Sequence, residues 1–266
     1  MFDCFNRKIN YLRISVTDRC NLRCTYCMPE EGVKMLSHKQ ILSFDEIVQV
    51  VKKAVEMGIE KVRLTGGEPL VRKGIISLVS MISSIEGIKD LSMTTNGILL
   101  TQFAKPLAEA GLQRVNISLD TTSPENFRKI TRLGEIEKVF EGIRAAKDAG
   151  LSPIKINCVI QNNTDEPSAQ SVNEFCKENN LEIRYIRQMN LGKGEFWQVK
   201  GGDGGNCSTC NRLRLTSDGK IKPCLFNNSE FDIRQLGIEN ALKSAIYKKP
   251  KSGTENHLNG FNNIGG

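Results

Sequence analysis

Along the first two-thirds of the chain, short runs rich in β-branched residues alternate with longer stretches whose apolar positions recur at helical spacing. That pattern predicts repeated βα units around parallel strands. Strands are expected at residues 10–15, 61–65, 90–94, 113–118, 153–159 and 182–187, and helices at 44–57, 75–85, 103–110, 136–149 and 171–179. Gly58, Gly87, Gly111 and Gly150 fall where helix-ending glycines belong. Six such units are too few to close an eight-stranded barrel, so the fold class is α/β, a partial (β/α)6 barrel of the TIM type. The character changes after Met189: Gly192, Gly194, Gly201, Gly202, Gly204 and Gly205 crowd together ahead of a cysteine group. The expected division is a barrel over residues 1–189 and a small second domain over 190–266.

Composition narrows the class. With 266 residues, 39% hydrophobic and 25% charged, the chain can bury a real core and is neither disordered nor collagen-like. No apolar run reaches the roughly 20 residues of a bilayer crossing, and the start MFDCFNRKIN lacks the marks of a secretory signal, so a cytoplasmic protein is expected. The net charge of +7 decides little. The one dense positive run, with Lys243, Lys248, Lys249 and Lys251, reads as solvated surface.

The nine cysteines carry more information. Cys20, Cys24 and Cys27 form C-x3-C-x2-C, and Cys207, Cys210 and Cys224 form C-x2-C-x13-C. In a reducing compartment such clusters suggest metal or redox chemistry before disulfides. Three ligands with no fourth nearby suit a four-iron cluster with one open iron better than a closed structural zinc site. The chain has only two histidines, His38 and His257, to complete mixed zinc sites. Cys158, on a strand, and Cys176, on a helix, read as small buried hydrophobes, and Trp197 as packing. Gly66-Gly67-Glu68-Pro69 follows the second strand, where glycines admit close ligand approach and the glutamate offers an acceptor for an ammonium group.

Arg13, Arg63 and Lys155 belong to three different expected strands, so a barrel would gather them in one mouth, where clustered cations call for an anion such as triphosphate. Arg212 and Arg214, two apart in an extended segment, share one face beside a cysteine.

Cys20-x3-Cys24-x-Tyr26-Cys27 followed by Gly66-Gly67-Glu68-Pro69 resembles the radical S-adenosylmethionine enzymes. The further segments RLTGGEPLVR, TTNG, NISLD and CSTCNRLRLTSDGKIKPCLF, with the terminal Gly265-Gly266, resemble more narrowly the GTP 3',8-cyclases that open molybdenum cofactor synthesis. The resemblance implies a radical lyase that converts GTP to (8S)-3',8-cyclo-7,8-dihydroguanosine 5'-triphosphate with two [4Fe-4S] clusters and S-adenosylmethionine. Cys20, Cys24 and Cys27 would hold the cluster that cleaves S-adenosylmethionine, and Tyr26, Gly67, Ser118 and Met189 would contact that cosubstrate. Cys207, Cys210 and Cys224 would hold a second cluster facing the guanine. Arg13, Arg63, Thr94, Lys155, Arg212 and Arg214 would line the GTP site, with the tail Gly265 and Gly266 inserted there.

Residues 190–266 would then be an auxiliary iron–sulfur and substrate domain. The implied partners are a reductant such as flavodoxin or ferredoxin, cyclic pyranopterin monophosphate synthase through the product, and a second copy in a homodimer, with no membrane or nucleic acid. The sequence departs from the family in one large way. Only seventeen residues separate Met189 from Cys207, which implies a lid with parts missing, and Arg187 stands where an acidic residue is expected. Two other readings compete: a radical enzyme that modifies a peptide through its own auxiliary cluster, and a non-catalytic zinc module that recognises RNA.

Overall fold

The computed structural model describes residues 1–266 except Lys34, His38, Asn259, Gly265 and Gly266. Five βα units and a sixth strand run in order through β1 (Tyr11–Ser15), α1 (Phe44–Glu56), β2 (Lys61–Thr65), α2 (Ile75–Ser83), β3 (Asp90–Thr95), α3 (Leu100–Glu109), β4 (Arg114–Ser118), α4 (Pro124–Thr131), α5 (Ile136–Asp148), β5 (Lys155–Ile160), α6 (Pro167–Glu178) and β6 (Glu182–Arg187). The six strands lie where the pattern places them, and all pair in parallel.

Local sequence explains where the helices begin. In α1 the Ser43 hydroxyl accepts from the Glu46 amide while the Glu46 carboxylate accepts from the Ser43 amide, a reciprocal cap. Helix α4 is absent from the periodicity because it buries only Phe127 and Thr131, too few for a stripe; Pro124 in its first turn and the Ser123 cap set it up instead.

The strands alternate in a consistent sense. Leu12, Ile14, Val62, Leu64, Met93, Ile117, Ile156 and Cys158 turn outward into one apolar core with the helices. Tyr11, Arg13, Lys61, Arg63, Arg114 and Asn157 turn to the opposite face and line a cavity. Parallel sheets usually present apolar residues on both faces. A polar inner face marks a lumen built for a ligand.

The remainder of the chain does not make a sheet of its own. It adds β7 (Arg212–Leu215), β8 (Lys220–Lys222) and β9 (Phe231–Asp232), then α7 (Ile233–Leu236), α8 (Ile238–Tyr247) and α9 (Phe261–Ile264). Strand β7 pairs in parallel with β1, and the nine-stranded sheet has the order β6-β5-β4-β3-β2-β1-β7-β8-β9. Residues 190–266 therefore extend the barrel wall beyond β1. No helix among the described residues is long and apolar enough to cross a membrane.

Candidate active site

The first cysteine trio follows the C-terminal end of β1. Its loop is wound tightly, with the Cys27 and Met28 amides both donating to the Cys24 carbonyl at 3.0 Å. The Leu22 amide donates to Cys20 Sγ at 3.3 Å, the kind of contact that favours a thiolate. Burial pushes Cys27 up to about 11 and Cys24 higher still, and the three sulfurs repel one another as anions. A bound cation would relieve that repulsion, so the trio fits an iron centre. Among the described residues no three Cys, His, Asp or Glu side chains converge on one metal ion; a cuboidal cluster instead takes one thiolate at each of three iron corners.

Of the expected S-adenosylmethionine contacts, Tyr26 belongs to this loop and Gly67 packs against it. Tyr26 donates its hydroxyl to Asp120 Oδ2 at 2.7 Å, and the half-buried Asp120 also accepts from the Val159 amide at 2.8 Å. Burial lifts Asp120 to about 6 against those two hydrogen bonds. A side chain on Gly67 would place its Cβ 2.3 Å from the Arg19 carbonyl oxygen, so only glycine lets this turn lie against the cysteine loop. Ser118 ends β4 beside Asn157, and Met189 lines the cavity described below.

Glu68, the expected ammonium acceptor, also has a structural role. Its carboxylate already accepts from the Leu70 amide at 3.1 Å, Thr95 Oγ1 at 2.8 Å and the Asn96 amide at 2.7 Å. It latches β2 to β3 beneath the site, and burial pushes it up to about 7 in spite of those donors.

The second trio lies at the other end of the strands. Cys207 and Cys210 precede β7, and Cys224 follows β8, so both segments meet at the N-terminal end of β1; that strand spans about 13 Å. A cavity of about 240 Å³ opens there, lined by all three of these cysteines. Register builds its cationic wall: Arg214, Arg13, Arg63, Ser92 and Arg114 form one continuous row across β7, β1, β2, β3 and β4. Arg63 donates to Ser92 Oγ at 3.2 Å, and Arg114 is held by both oxygens of Asp90, at 3.0 and 2.5 Å. Burial and then the Arg214 charge hold Arg13 well below the usual arginine range. Burial and then Arg212 bring Arg214 down to about 10. Burial works to raise Cys210, but Lys249 and Arg212 outweigh it and hold the thiol at about 6.

Several polar atoms on the inner face are buried without a hydrogen-bond partner, among them Tyr11 Oη, Thr94 Oγ1, Asn116 Nδ2 and Arg184 Nε. Orphans of this kind mark a chamber that a polar ligand completes.

The structure thus brings Arg13, Arg63, Arg212 and Arg214 together, but in the lumen near the N-terminal ends of the strands and not at the opposite mouth. Thr94 lies on the inner face beyond the cavity lining. Lys155 does not join the cavity: its ammonium pairs with Glu182 on the neighbouring strand. The residues missed are Lys61, Arg114, Arg184 and Lys249. The first three could have been found by extending the alternation of Arg13 and Arg63 to the neighbouring strands. Lys249 belongs to the run read as solvated surface, yet it is only 3% exposed and faces the cavity, while Lys243, Lys248 and Lys251 are exposed as expected.

The short link after Met189 crosses from the edge strand β6 to β7. Lys200 pairs with Tyr185 of β6 through hydrogen bonds of 3.0 and 3.1 Å, and the Asp203 carbonyl accepts from Arg212 of β7 at 2.8 Å. Trp197 is held by the Arg187 guanidinium, 4.0 Å above its ring. Cys158 and Cys176 are buried in the core. Ile264, near the chain's end, is buried with Leu191, Leu225 and Phe226 beside Met189 and Cys224. The tail residues Gly265 and Gly266 lie outside the described residues.

A partial parallel barrel with a three-cysteine loop after β1 defines the radical S-adenosylmethionine class, and the Radical SAM superfamily matches residues 14–175. The Molybdenum Cofactor Synthesis C family matches residues 192–257. The GTP 3',8-cyclase of Alkaliphilus oremlandii is 41% identical over all of this chain and all of its own length, and that of Thermodesulfovibrio yellowstonii is likewise 41% identical over the full length of both. The chain belongs to the GTP 3',8-cyclase family of radical S-adenosylmethionine enzymes. The first alignment spans 320 positions against a chain of 266, so that relative carries residues with no counterpart here. Among solved structures, anSMEcpe with bound AdoMet shares the fold at a TM-score of 0.66 and 18% identity, covering 91% of this chain and 81% of its own. Streptococcus suis SuiB bound to the precursor peptide SuiA does so at 0.67 and 16%, covering 92% and 66%.

Proposed function

We propose that this protein converts GTP to (8S)-3',8-cyclo-7,8-dihydroguanosine 5'-triphosphate, the first step of molybdenum cofactor synthesis, with Cys20, Cys24 and Cys27 as ligands of one [4Fe-4S] cluster and Cys207, Cys210 and Cys224 as ligands of a second. The observation that carries this reading is the shared cavity: one row of inward arginines and the second trio line the same chamber. A peptide offers no reason for such a concentration of guanidinium groups, whereas a triphosphate takes them in bidentate fashion.

A cluster held by Cys20, Cys24 and Cys27 would supply the electron for reductive cleavage of S-adenosylmethionine, and with it the radical chemistry. The chain supplies the binding and the shelter. Tyr26, Gly67, Ser118 and Met189 hold the cosubstrate. Arg13, Arg63 and Arg214 neutralise the triphosphate and anchor it in the lumen, while Arg212 and the second trio face the base. Fixing both ends of the nucleotide restricts the ribose between them to one pose, so that proximity does much of the work. The link from Lys200 to Asp203 closes the side of the chamber against water. Lys155, paired with Glu182, stays outside the anion site. The reductant is a flavodoxin or ferredoxin, and the product passes to cyclic pyranopterin monophosphate synthase in the cytoplasm. A homodimer remains part of this proposal.

The test is anaerobic reconstitution followed by incubation with S-adenosylmethionine, dithionite and GTP. Cyclised nucleotide triphosphate and 5'-deoxyadenosine in equal amounts are expected. 5'-Deoxyadenosine without cyclised product would show that the short link fails as a lid. Zinc without iron or sulfide would return the reading to a binding module.

A further inference from the structure

Cys207 and Cys210 sit in an irregular stretch that ends where β7 begins, with no strand partner of their own. What holds them comes from the two ends of the chain. Near the start, the Asp3 carboxylate accepts from the Phe5 and Arg7 amides, each at 2.9 Å, and from Arg7 Nε at 2.6 Å. Asn6 closes this turn in the left-handed region at φ 59°, a conformation asparagine tolerates. The Asp3 side chain is 0% exposed and that of Arg7 is 6% exposed.

Arg7, fixed in this way, spends its outer N–H groups on main-chain carbonyls. Nη1 donates to Cys207 at 2.7 Å and to Lys251 at 3.2 Å, and Nη2 donates to Pro250 at 2.7 Å. From the other end, Lys249 Nζ donates to the Arg212 carbonyl at 2.7 Å and the Pro223 carbonyl at 2.6 Å. Arg212 lies two residues past Cys210, and Pro223 immediately precedes Cys224. Ser252 Oγ approaches Cys207 Sγ at 3.6 Å. Residues 249–252 are therefore wired to the main chain at or beside all three cysteines.

We infer that Arg7 and Lys249 are positioning residues for the second trio: with Asp3 fixing Arg7, they clamp the segments of Cys207, Cys210 and Cys224 at the spacing that accepts a cluster. The inference rests on the reading that this trio holds a cluster. Its physical basis is that three thiolates in a low-dielectric cavity repel one another, and an irregular loop gives way unless buried, charge-assisted hydrogen bonds hold its backbone. Two buried cations also add positive charge beside the cluster, which moves its reduction potential upward.

The experiment uses the full chain with Cys20, Cys24 and Cys27 changed to alanine, so that only the second trio can load. After anaerobic reconstitution with ferrous iron and sulfide, three quantities are read: iron and sulfide per chain, the rate of iron loss to a ferrous chelator, and the EPR spectrum and midpoint potential of the reduced cluster. Arg7→Met and Lys249→Met should lose iron about tenfold faster or more, the scale for losing an outer partner of a metal ligand. Lys249→Met should also shift the midpoint to a more negative value, and Lys249→Arg should restore it. Arg7→Lys, with a single donating group, should recover part of the retention. The last two substitutions carry the test if a methionine variant fails to fold by circular dichroism.

Unchanged iron loss and unchanged EPR spectra in folded Arg7→Met and Lys249→Met chains would overturn the clamp while leaving the second cluster in place. Failure of the alanine-substituted parent to take up iron and sulfide would overturn the second cluster, and the clamp with it.

Discussion

Arg13 stands in parallel register between Arg63 on β2 and Arg214 on β7, so that three guanidinium groups share one level of the lumen. Like charges directly opposite one another on a sheet are destabilising, and burial adds to the strain on Arg13 and Arg214. The arrangement is explained by a ligand that brings several negative charges.

Arg214→Met should therefore weaken GTP binding about thirtyfold, the equivalent of one charge-assisted hydrogen-bonding group at roughly 2 kcal/mol. The urea midpoint of the ligand-free chain should move little, because Arg214 stands between the repulsive Arg212 and the attractive Cys224 and Cys210. Calorimetric titration and denaturation on the same samples check both. Weaker binding accompanied by a large loss of stability would mean that Arg214 serves the fold.

Glu68 gives a pH signature. Its carboxyl is held up at about 7 in the folded chain by burial, against an ordinary value of 4.5, so the folded state keeps a proton that the unfolded chain releases. The contribution of this group to stability is fully present below about 4.5, falls as pH rises towards 7, and is level above that. Glu68→Gln removes the titration. Measured by urea unfolding of the metal-free chain, the variant should gain about 3 kcal/mol on the wild type between pH 4.5 and 8, whatever constant offset the altered hydrogen bonds impose.

The short link depends on Gly205, which has φ 76°; a Cβ there would lie 2.0 Å from the Trp197 carbonyl oxygen. Gly205→Ala should displace the link and admit water to the chamber. The ratio of 5'-deoxyadenosine to cyclised product, near unity in the wild type, should rise severalfold while both sets of cysteines keep their iron. Chromatography of single time points reads the ratio.

Cys158 and Cys176 face the core and take no part in either trio. Replacing each with alanine should cost about 1 kcal/mol of stability and leave iron content and the EPR spectrum unchanged. A drop in iron would give one of them a role in metal delivery or ligation.

Much of this is legible in the sequence. The six strands follow from apolar alternation, and both trios follow from spacing, because those signals are local. What escaped detection depended on pairing between distant segments. Arg212 and Arg214 are visibly on one face of an extended stretch, but nothing nearby says that the stretch lies against β1, or that it puts the second trio at the opposite end of the strands from the first. Lys155 lies on its expected strand, but its pairing with Glu182 depends on the seating of β6 beside β5, which neither segment shows alone. Lys249 was hidden by its neighbours, since a run of four lysines averages to surface even when one of them turns inward. Glu68 shows the converse: the motif points to the residue, but its bonds to Leu70, Thr95 and Asn96 come from packing that the motif does not contain.

The seating of β7 beside β1 also sets an order of events. The wall next to β1 has a bare edge until residues 212–215 have been synthesised, nearly two hundred residues after β1 itself. Contacts between such distant parts of a chain form slowly. During that interval the first cysteine loop has been made while Arg212 and Arg214 have not, so the cationic chamber is the last part of the lumen to be completed.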